Sequence, residues 1–399
     1  MIIREKYLSK IRPFYDQDLI KVIMGVRRCG KSVILLQIID ELKARGIPES
    51  QIIYINFEYE DYSFIKNDMD LHNYIKEKIV SKDKYYLFFD EIQNVEHWEK
   101  AINSFKASKN VSIFITGSNS DLLSGELATH IAGRYVSFRV QPLTFKEIVE
   151  FKNIKKEDYK KLLLDIFEWG SLPQRFSFDN ERAKLNYISD VYDSILLKDV
   201  VERLNIKDIT SFNKILQYVL ETEGKEFSAN NVLNYLKSEH HEIATDTLYN
   251  YLEALCSTFI MNKVYRYDIQ GKSVLKTLNK YYASDLGVKK IKTNNKEVNY
   301  SNSLENIVYN DLIAKGYEVY IGKTKKGEVD FVATKNKDLK YIQVCYSLSE
   351  EETKDREFGA YTGIDDSYTR YVISLDEEDY SRDGIKHINI FDFLMNDDF

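Results

Sequence analysis

The sequence predicts an α/β fold that begins with a parallel sheet of five strands and continues into helices and a second α/β region. Five short apolar runs alternate with polar or amphipathic stretches over residues 19–140, as expected for buried parallel strands joined by crossover helices. The turn after the first run consists of Gly25, Val26, Arg27, Arg28, Cys29, Gly30, Lys31 and Ser32. A glycine-rich turn between a buried strand and a helix is typical of a P-loop NTPase, so we predict that fold.

The turn Gly25–Ser32 has the phosphate-loop pattern G-x-x-x-x-G-K-S. Its backbone N–H groups and the first turn of the following helix, whose dipole adds about half a positive charge, suit the β- and γ-phosphates of a nucleotide. We expect Lys31 to bridge the phosphate oxygens and the Ser32 hydroxyl to hold Mg²⁺. The predicted ligands are therefore ATP and Mg²⁺.

The third apolar run, Tyr85–Phe89, ends in two carboxylates, as a Walker B strand does. Because parallel strands place their carboxyl ends beside the bound phosphates, we expect Asp90 to contact the water shell of Mg²⁺. Glu91, one residue on, is predicted to orient and deprotonate the attacking water. The fourth run, Val111–Gly117, is followed by Asn119, which is predicted to sense the γ-phosphate.

Three residues near this predicted site each have two interpretations. Arg134 precedes the fifth run and is either an arginine finger that acts on the nucleotide of a neighbouring subunit or a surface arginine. Asn56 either hydrogen-bonds Glu91 and holds it inactive or is a plain turn residue. Cys29 is either a reactive thiol, whose pKa the loop amides and Lys31 should lower, or an inert small residue.

Composition excludes several classes of protein. Apolar residues make up 44% of the 399 residues, enough for several cores, but no apolar run approaches the ~20 residues that cross a bilayer. The three cysteines are too scattered for a disulfide framework or a zinc site, and the N-terminus lacks the order of a signal peptide. We therefore expect a cytoplasmic protein without membrane partners.

The net charge of −7 is unevenly distributed. Residues 350–399 contain fifteen acidic and five basic residues, a balance of −10, so the remaining 349 residues carry +3. The acidity of the whole chain thus argues neither for nor against nucleic-acid binding upstream of residue 350.

The region after residue 143 is predicted to be helical at first. Helices predicted at 144–151, 159–167 and 183–205 would form a lid over the nucleotide, with Arg175 or Lys198 as its contact. Three further helices and a hairpin over 206–292 predict a winged helix-turn-helix. Its predicted recognition helix, Thr245–Cys256, has acidic but no basic residues over 244–253, so we expect weak backbone contact with DNA through the hairpin, or protein docking. The basic residues of the hairpin region are Lys263, Arg266, Lys272, Lys276 and Lys280.

The last region, 293–399, has the order of helix and strands found in a PD-(D/E)XK nuclease, a restriction-endonuclease-like α/β fold. Glu305 and Asp330 occupy two acidic positions of that active site, where metal ligands belong. Gln343 and Cys345 occupy the last two, and an amide and a thiol are poor substitutes for a carboxylate and an ammonium. We therefore predict a degenerate site, with Lys325 or Lys340 as the candidate for a relocated lysine.

Taken together, these motifs resemble those of the prokaryotic AAA+-type ATP-binding proteins that carry a C-terminal domain of unknown function. The family pattern reads G-V-R-R-x-G-K-S, D-E-I-Q with W-E, T-G-S-N-S, G-R-Y, P-L-(T/S)-F and E-V-D-F. The matching segments are Gly25–Ser32, Asp90–Gln93 with Trp98-Glu99, Thr116–Ser120, Gly133–Tyr135, Pro142–Phe145 and Glu328–Phe331. The resemblance implies ATP hydrolysis, a winged-helix segment and an often degenerate nuclease-like C-terminus.

Two functions follow from this resemblance and from the residues. The first is an ATPase, acting as a switch or motor that moves its winged-helix and C-terminal domains against a protein or DNA partner, and assembling as a homo-oligomer if Arg134 acts between subunits. The second is an ATP-gated DNA nuclease or DNA-binding protein in genome defence or repair. The predicted domains are the ATPase core (1–143), the lid (144–205), the winged helix (206–292) and the nuclease-like domain (293–399).

Overall fold

The computed structural model describes residues 2–108, 110–123, 133–202, 205–293, 298–325 and 327–399. The chain divides into two compact units, Met1–Pro142 with Ser257–Phe259, and Leu143–Cys256 with Ile260–Phe399. Among the helices in the described ranges, none has both the length and the apolar character that crossing a membrane requires.

The first unit contains a parallel sheet of five strands, as predicted. Its strands are β1 (Ile20–Met24), β2 (Ile52–Asn56), β3 (Tyr85–Asp90), β4 (Val111–Gly117) and β5 (Tyr135–Arg139). Its helices are α1 (Glu5–Ile11), α2 (Lys31–Ala44), α3 (Asp68–Lys78) and α4 (Trp98–Ser108). The strand order is β2-β3-β4-β1-β5, with every neighbouring pair parallel.

The register of this sheet determines where polar side chains meet. β1 and β3 are buried along their whole length, which is why both are apolar apart from Lys21 and Asp90. Met24 at the end of β1 is paired with Gly117 at the end of β4, and Asn56 is paired with Asp90 at the end of β3. The carboxyl ends of these strands therefore lie along one edge, where ligands bind in open α/β sheets.

One predicted helix in this unit is described only in part. The sequence pattern predicts a short helix from Asp121 to Ile131, and the structure has a 3₁₀ turn at Ser120–Leu123. The rest of that prediction lies outside the described residues.

The remainder of the chain is helical at first and then forms a second sheet. The helices are α5 (Phe145–Lys152), α6 (Tyr159–Trp169), α7 (Glu181–Ser194), α8 (Ile209–Glu221), α9 (Ala229–Ser238), α10 (Thr245–Ser257), α11 (Gly287–Lys292), α12 (Tyr300–Lys315), α13 (Glu351–Gly359) and α14 (Ile390–Met395). The strands are β6 (Met261–Asp268), β7 (Ser273–Ala283), β8 (Glu318–Lys323), β9 (Glu328–Lys335), β10 (Asp338–Val344), β11 (Thr369–Ser374) and β12 (Ile385–Asn389).

Local chemistry explains several of these helix ends. Thr144 and Glu147 form a reciprocal capping box at the start of α5, and the Ser228 side chain accepts the Asn231 N–H at the start of α9. Gly316 ends α12 in the left-handed conformation, at φ +90°. A π-helix, Ile195–Glu202, follows α7 directly, so the long predicted helix over 183–205 changes its hydrogen-bond pattern partway.

The hairpin of the predicted winged helix does not stand alone. β6 and β7 pair antiparallel, and the outer half of β6 also pairs parallel with β8, with Arg266 opposite Ile321 and Tyr267 opposite Gly322. The resulting seven-stranded sheet has the order β12-β11-β10-β9-β8-β6-β7. It therefore runs across the boundary predicted at residue 293, because a half-buried hairpin has the same sequence pattern whether or not another strand pairs with it.

The basic residues of the hairpin also do not form one exposed patch. Arg266 is 8% exposed and lies 3.0 Å from the Glu226 carboxylate. Lys280 is 4% exposed and pairs with two carboxylates of the C-terminal region. The side chain of Lys276 lies outside the described part. The expected basic surface for a DNA backbone thus loses at least two of its five charges to internal ion pairs.

Candidate active site

The predicted phosphate loop joins β1 to α2, and its glycines are required by the backbone. A Cβ on Gly25 would lie 2.2 Å from the Val140 carbonyl oxygen, and Gly30 has φ +104°, a conformation that disfavours other residues. Gly30, the N-cap residue of α2, has no side chain that could cap the first amides of this helix. The first turn of α2 is therefore suited to an anion, and the loop fits a phosphate chain.

Lys31 begins α2 and turns back over the loop. Its side chain is only 3% exposed, and Nζ donates to the carbonyl oxygens of Gly25 (3.1 Å) and Val26 (3.4 Å). Nζ also lies 3.3 Å from the Glu91 carboxylate. Burial alone would lower the pKa of Lys31, but the attraction of Glu91 outweighs it and raises that pKa, so the ammonium stays charged.

Glu91 follows β3 in a left-handed backbone conformation, at φ +54°. Its N–H donates to the Thr116 hydroxyl oxygen at 2.9 Å, and its Oε2 accepts the Gln93 amide at 2.5 Å. Burial would raise the pKa of Glu91, but Lys31 and Gln93 together lower it. The carboxylate is therefore ionised at neutral pH and can accept a proton from water.

Asp90 is fully buried at the end of β3 and is held by three neighbours. The Thr116 hydroxyl donates to its Oδ1, while the Tyr54 hydroxyl (3.0 Å) and the Asn56 amide (3.2 Å) donate to Oδ2. With donors on both oxygens, Asp90 suits contact with a metal ion through water. Ser32 follows Lys31 in the first turn of α2, where its hydroxyl is the second predicted Mg²⁺ contact.

The structure corrects the expectation that Asn56 holds Glu91. The Asn56 amide donates to Asp90, and its oxygen accepts the Glu58 N–H at 2.8 Å. Pairing of β2 with β3 places Asn56 opposite Asp90, so its side chain meets the neighbour in register. The amide that holds Glu91 is Gln93, which is part of the D-E-I-Q segment and could have been singled out from it.

The reactive interpretation of Cys29 is also wrong. Its thiol is fully buried, and burial raises its pKa, although the charges of Lys31 and Arg4 act in the opposite direction. Desolvation of the thiolate outweighs the loop electrostatics that the sequence interpretation relied on. The structure agrees with the inert interpretation.

Arg4 is a residue of this site that sequence reasoning missed. It is 2% exposed, and its guanidinium donates to the carbonyl oxygens of Cys29 (2.8 Å) and Gln141 (3.0 Å). It therefore ties the phosphate loop to the chain after β5. In the sequence, Arg4 is a single arginine beside the apolar residues Met1-Ile2-Ile3, and this pattern does not predict which groups its side chain contacts.

Among the remaining predicted residues of the first unit, Asn119, Arg27 and Arg28 follow the carboxyl ends of β4 and β1, whereas Arg134 lies at the opposite, amino-end edge of the sheet, beside Ile20. Asn119 is fully buried, two residues beyond β4. Arg134 is exposed immediately before β5, and its carbonyl oxygen accepts the Ile20 N–H at 2.8 Å. Arg27 pairs with Glu58, while Arg28 has φ +67°. The predicted lid contact Arg175 is 1% exposed and pairs with Asp165 at 2.7 Å, so it is not available to a nucleotide.

The nuclease-like residues meet in the second unit, but they are engaged with one another. The Asp330 Oδ2 accepts the Val344 N–H at 2.8 Å, and the Gln343 Oε1 accepts the Asp330 N–H at 2.6 Å. Cys345 is buried, and burial raises its thiol pKa. Glu305 accepts the Tyr282 hydroxyl and an ammonium group, that of Lys280.

Neither predicted candidate is the relocated lysine. Lys340 pairs with Asp338 at 2.5 Å and lies 3.3 Å from the Tyr317 hydroxyl, whereas Lys325 is exposed. The ammonium beside Glu305 comes from Lys280 instead, twenty-five residues earlier in the chain. Within the described ranges, no group of three His, Cys, Asp or Glu side chains is arranged to hold a metal ion.

Comparison with known proteins gives matches over most of the chain. Residues 17–149 match an AAA domain, and residues 160–299 match a domain of unknown function. An uncharacterized protein of Haemophilus influenzae is 38% identical over 399 residues, 99% of each chain. An uncharacterized protein of Methanocaldococcus jannaschii is 33% identical over 387 residues, 94% of this chain and 85% of the relative.

A solved structure, the Walker-type ATPase of Pyrococcus abyssi, is 14% identical and aligns with 73% of this chain and 95% of its own. Its TM-score is 0.49. The strand order, the phosphate loop and the AAA-domain match identify a P-loop ATPase fold.

Proposed function

We propose that this chain binds Mg-ATP and hydrolyses it as a switch or motor. The chain belongs to the family of AAA-domain proteins that includes these Haemophilus influenzae and Methanocaldococcus jannaschii relatives. The observation that carries the proposal is the position of Lys31 against Glu91, 3.3 Å apart beside Asp90. A phosphate-gripping ammonium, a water-activating carboxylate and a metal-contacting carboxylate are the groups that phosphoryl transfer to water needs.

In this mechanism the loop amides and Lys31 grip the phosphates, and Lys31 leaves Glu91 as it does so. Glu91, freed from its ion pair, orients a water molecule against the γ-phosphate and accepts its proton. Ser32, and Asp90 through water, would hold Mg²⁺, which would supply charge neutralisation for phosphoryl transfer. Asn119 contacts the γ-phosphate and distinguishes the states before and after hydrolysis.

The direct test is phosphate release by the purified full-length protein. We expect Lys31→Ala to weaken ATP binding and Glu91→Gln to abolish turnover while binding persists. Lys43→Ala is the matched control, because Lys43 lies on the same helix but pairs with Glu49 at the surface. Turnover that survives both site substitutions at the wild-type rate would rule the proposal out.

The proposal gives Arg134 a role if the protein forms a homo-oligomer. An exposed arginine before β5 supports a role between subunits, where it would neutralise transition-state charge on a neighbour's nucleotide. Sizing the protein with and without a non-hydrolysable ATP analogue tests this role. Assembly that depends on nucleotide, with turnover lost in Arg134→Ala, would support it, and a persistent monomer with normal Arg134→Ala turnover would exclude it.

We further propose that hydrolysis changes how the region after residue 143 meets a partner. The internal pairing of Arg266 and Lys280 makes a protein partner better supported than a DNA backbone. Protein that binds duplex DNA with a steep salt dependence, and more tightly with ATP than with ADP, would reverse that preference.

The alternative function, an ATP-gated nuclease, has less support because Gln343 and Cys345 replace two charged groups of such a site. Its test is incubation with plasmid, Mg²⁺ or Mn²⁺, and ATP. Cleavage that is lost in Asp330→Ala would establish it.

A further inference from the structure

We propose that the Lys280 ammonium is the built-in counter-ion of the nuclease-like cluster, in the charge-balancing role that a divalent cation has in an active nuclease. The cluster would then fasten the β6–β7 hairpin to α12 and β9, and would not take up metal. This proposal does not depend on ATP binding or hydrolysis, because all of its residues lie in the second unit.

Lys280 contacts carboxylates from two other elements of the fold. Lys280 lies on β7, and its side chain is 5% exposed. Its Nζ lies 3.3 Å from the Glu305 carboxylate on α12 and 2.5 Å from the Glu328 carboxylate on β9. The Tyr282 hydroxyl, from the same strand as Lys280, donates to the same Glu305 oxygen. One ammonium thus joins three elements that are distant in sequence.

The charges of the cluster also favour a cation. Asp330 is close enough to Glu305 for the like charge to add to burial in raising the Asp330 pKa, and burial also raises the Glu305 pKa. Burial would lower the pKa of Lys280, but Glu305, Asp330 and Glu328 outweigh it and raise that pKa. Several crowded carboxylates require a cation, and the chain itself provides one.

The groups expected to bind metal already have partners within the protein. Gln343 accepts the Asp330 N–H through Oε1 and donates through Nε2 to Glu357 at 2.8 Å, so both ends of its amide are in use. The Val344 N–H donates to Asp330 Oδ2. The described residues also contain no three-ligand group for a metal.

The test is thermal unfolding of the full-length, nucleotide-free protein at pH 8. We expect Lys280→Met to lower Tm by about 5 °C or more, because it leaves Glu305 and Glu328, which both contact Lys280, without their cation. The double variant Lys280→Met/Glu305→Gln should recover at least half of the loss at pH 8.

The matched control is Lys263→Met on the same hairpin, where the ammonium lies over the Tyr265 ring at 5.3 Å. We expect its Tm to stay within about 2 °C of the wild type. Three results would overturn the proposal: an unchanged Tm in Lys280→Met, a double variant no more stable than Lys280→Met, or a wild-type Tm that rises with MnCl₂ but not in Asp330→Asn.

Discussion

The Lys31 ammonium lies 3.3 Å from the Glu91 carboxylate, so the group that would grip phosphate and the group that would activate water neutralise each other. Both side chains are almost completely buried, at 3% and 10% exposure. Under the proposed function, a phosphate chain would have to compete with Glu91 for Lys31. Uptake of nucleotide and release of the Glu91 carboxylate would then be one event.

Glu91→Gln should tighten nucleotide binding while it abolishes turnover. The amide no longer competes for the Lys31 ammonium, so we expect affinity for a fluorescent ATP derivative to rise several-fold, by about 1 kcal/mol. Phosphate release should fall at least about 100-fold, because an amide cannot accept the proton of the attacking water. Glu49→Gln, at a surface carboxylate paired with Lys43, is the control. Weaker binding by Glu91→Gln would contradict this competition.

Gln93→Ala should slow turnover without weakening ATP binding. The Gln93 amide holds Glu91 and lowers its pKa, so the variant should lose about tenfold in kcat with little change in KM. The pKa of Glu91 should rise, which moves the acid limb of the kcat profile to higher pH. Asn94→Ala, one residue on and exposed, should leave that limb in place. An unmoved acid limb in Gln93→Ala would mean that Gln93 acts on stability alone.

Arg4→Lys should loosen the phosphate loop. One ammonium cannot reproduce the forked donation to the Cys29 and Gln141 carbonyl oxygens, so we expect the Kd for a non-hydrolysable ATP analogue to rise about five- to twentyfold. Arg12→Lys is the control, because that guanidinium belongs to the same segment but pairs with Glu5 and Glu41. Equal affinities of the two variants would show that Arg4 does not position the loop.

Lys21→Met should stabilise the protein most in acid. Lys21 is fully buried in β1, where Nζ donates to the Ser112 hydroxyl oxygen at 2.6 Å, and burial lowers its pKa from 10.5 to about 7. Between these values the unfolded chain holds a proton that the native protein lacks, so this group makes stability rise with pH. Below pH 7 the native protein carries the full cost of a buried ammonium.

We therefore expect Lys21→Met to gain about 1–3 kcal/mol in free energy of unfolding at pH 6, and less at pH 9. Denaturant unfolding at several pH values measures this difference, with Lys43→Met as the exposed control. A gain that is independent of pH would mean that nearby Asp16 and Asp18 keep Lys21 charged throughout.

Local patterns were enough to predict the first sheet and the position of the phosphate loop. β1 and β3 are buried on both faces, which leaves a mostly apolar run that any reader of the sequence recognises. Gly25 is required because a Cβ there would meet the Val140 carbonyl oxygen, and Gly30 is required because of its positive φ. These features have local sequence patterns, so they can be predicted from the sequence.

The partners of individual side chains were harder to predict, because they depend on register and on distant chain segments. Asn56 meets Asp90 and not Glu91 because β2 pairs with β3 in that register. Lys280 meets Glu305 because β6 pairs with β8, a contact that no local pattern records. Arg4 reaches Gln141 across 137 positions of sequence. The types of residue at the site were predicted from the sequence more reliably than the atoms that those residues contact.

The parallel pairing of β6 with β8 also decides how the protein can be dissected in the laboratory. A fragment that starts at residue 293 would present β8 with one bare edge and would lack the lysine that balances Glu305 and Glu328. We expect such a fragment to aggregate, and its partner ending at 292 to lose the strand beside its hairpin. We therefore expect the hairpin and everything after it to fold only when they are expressed together.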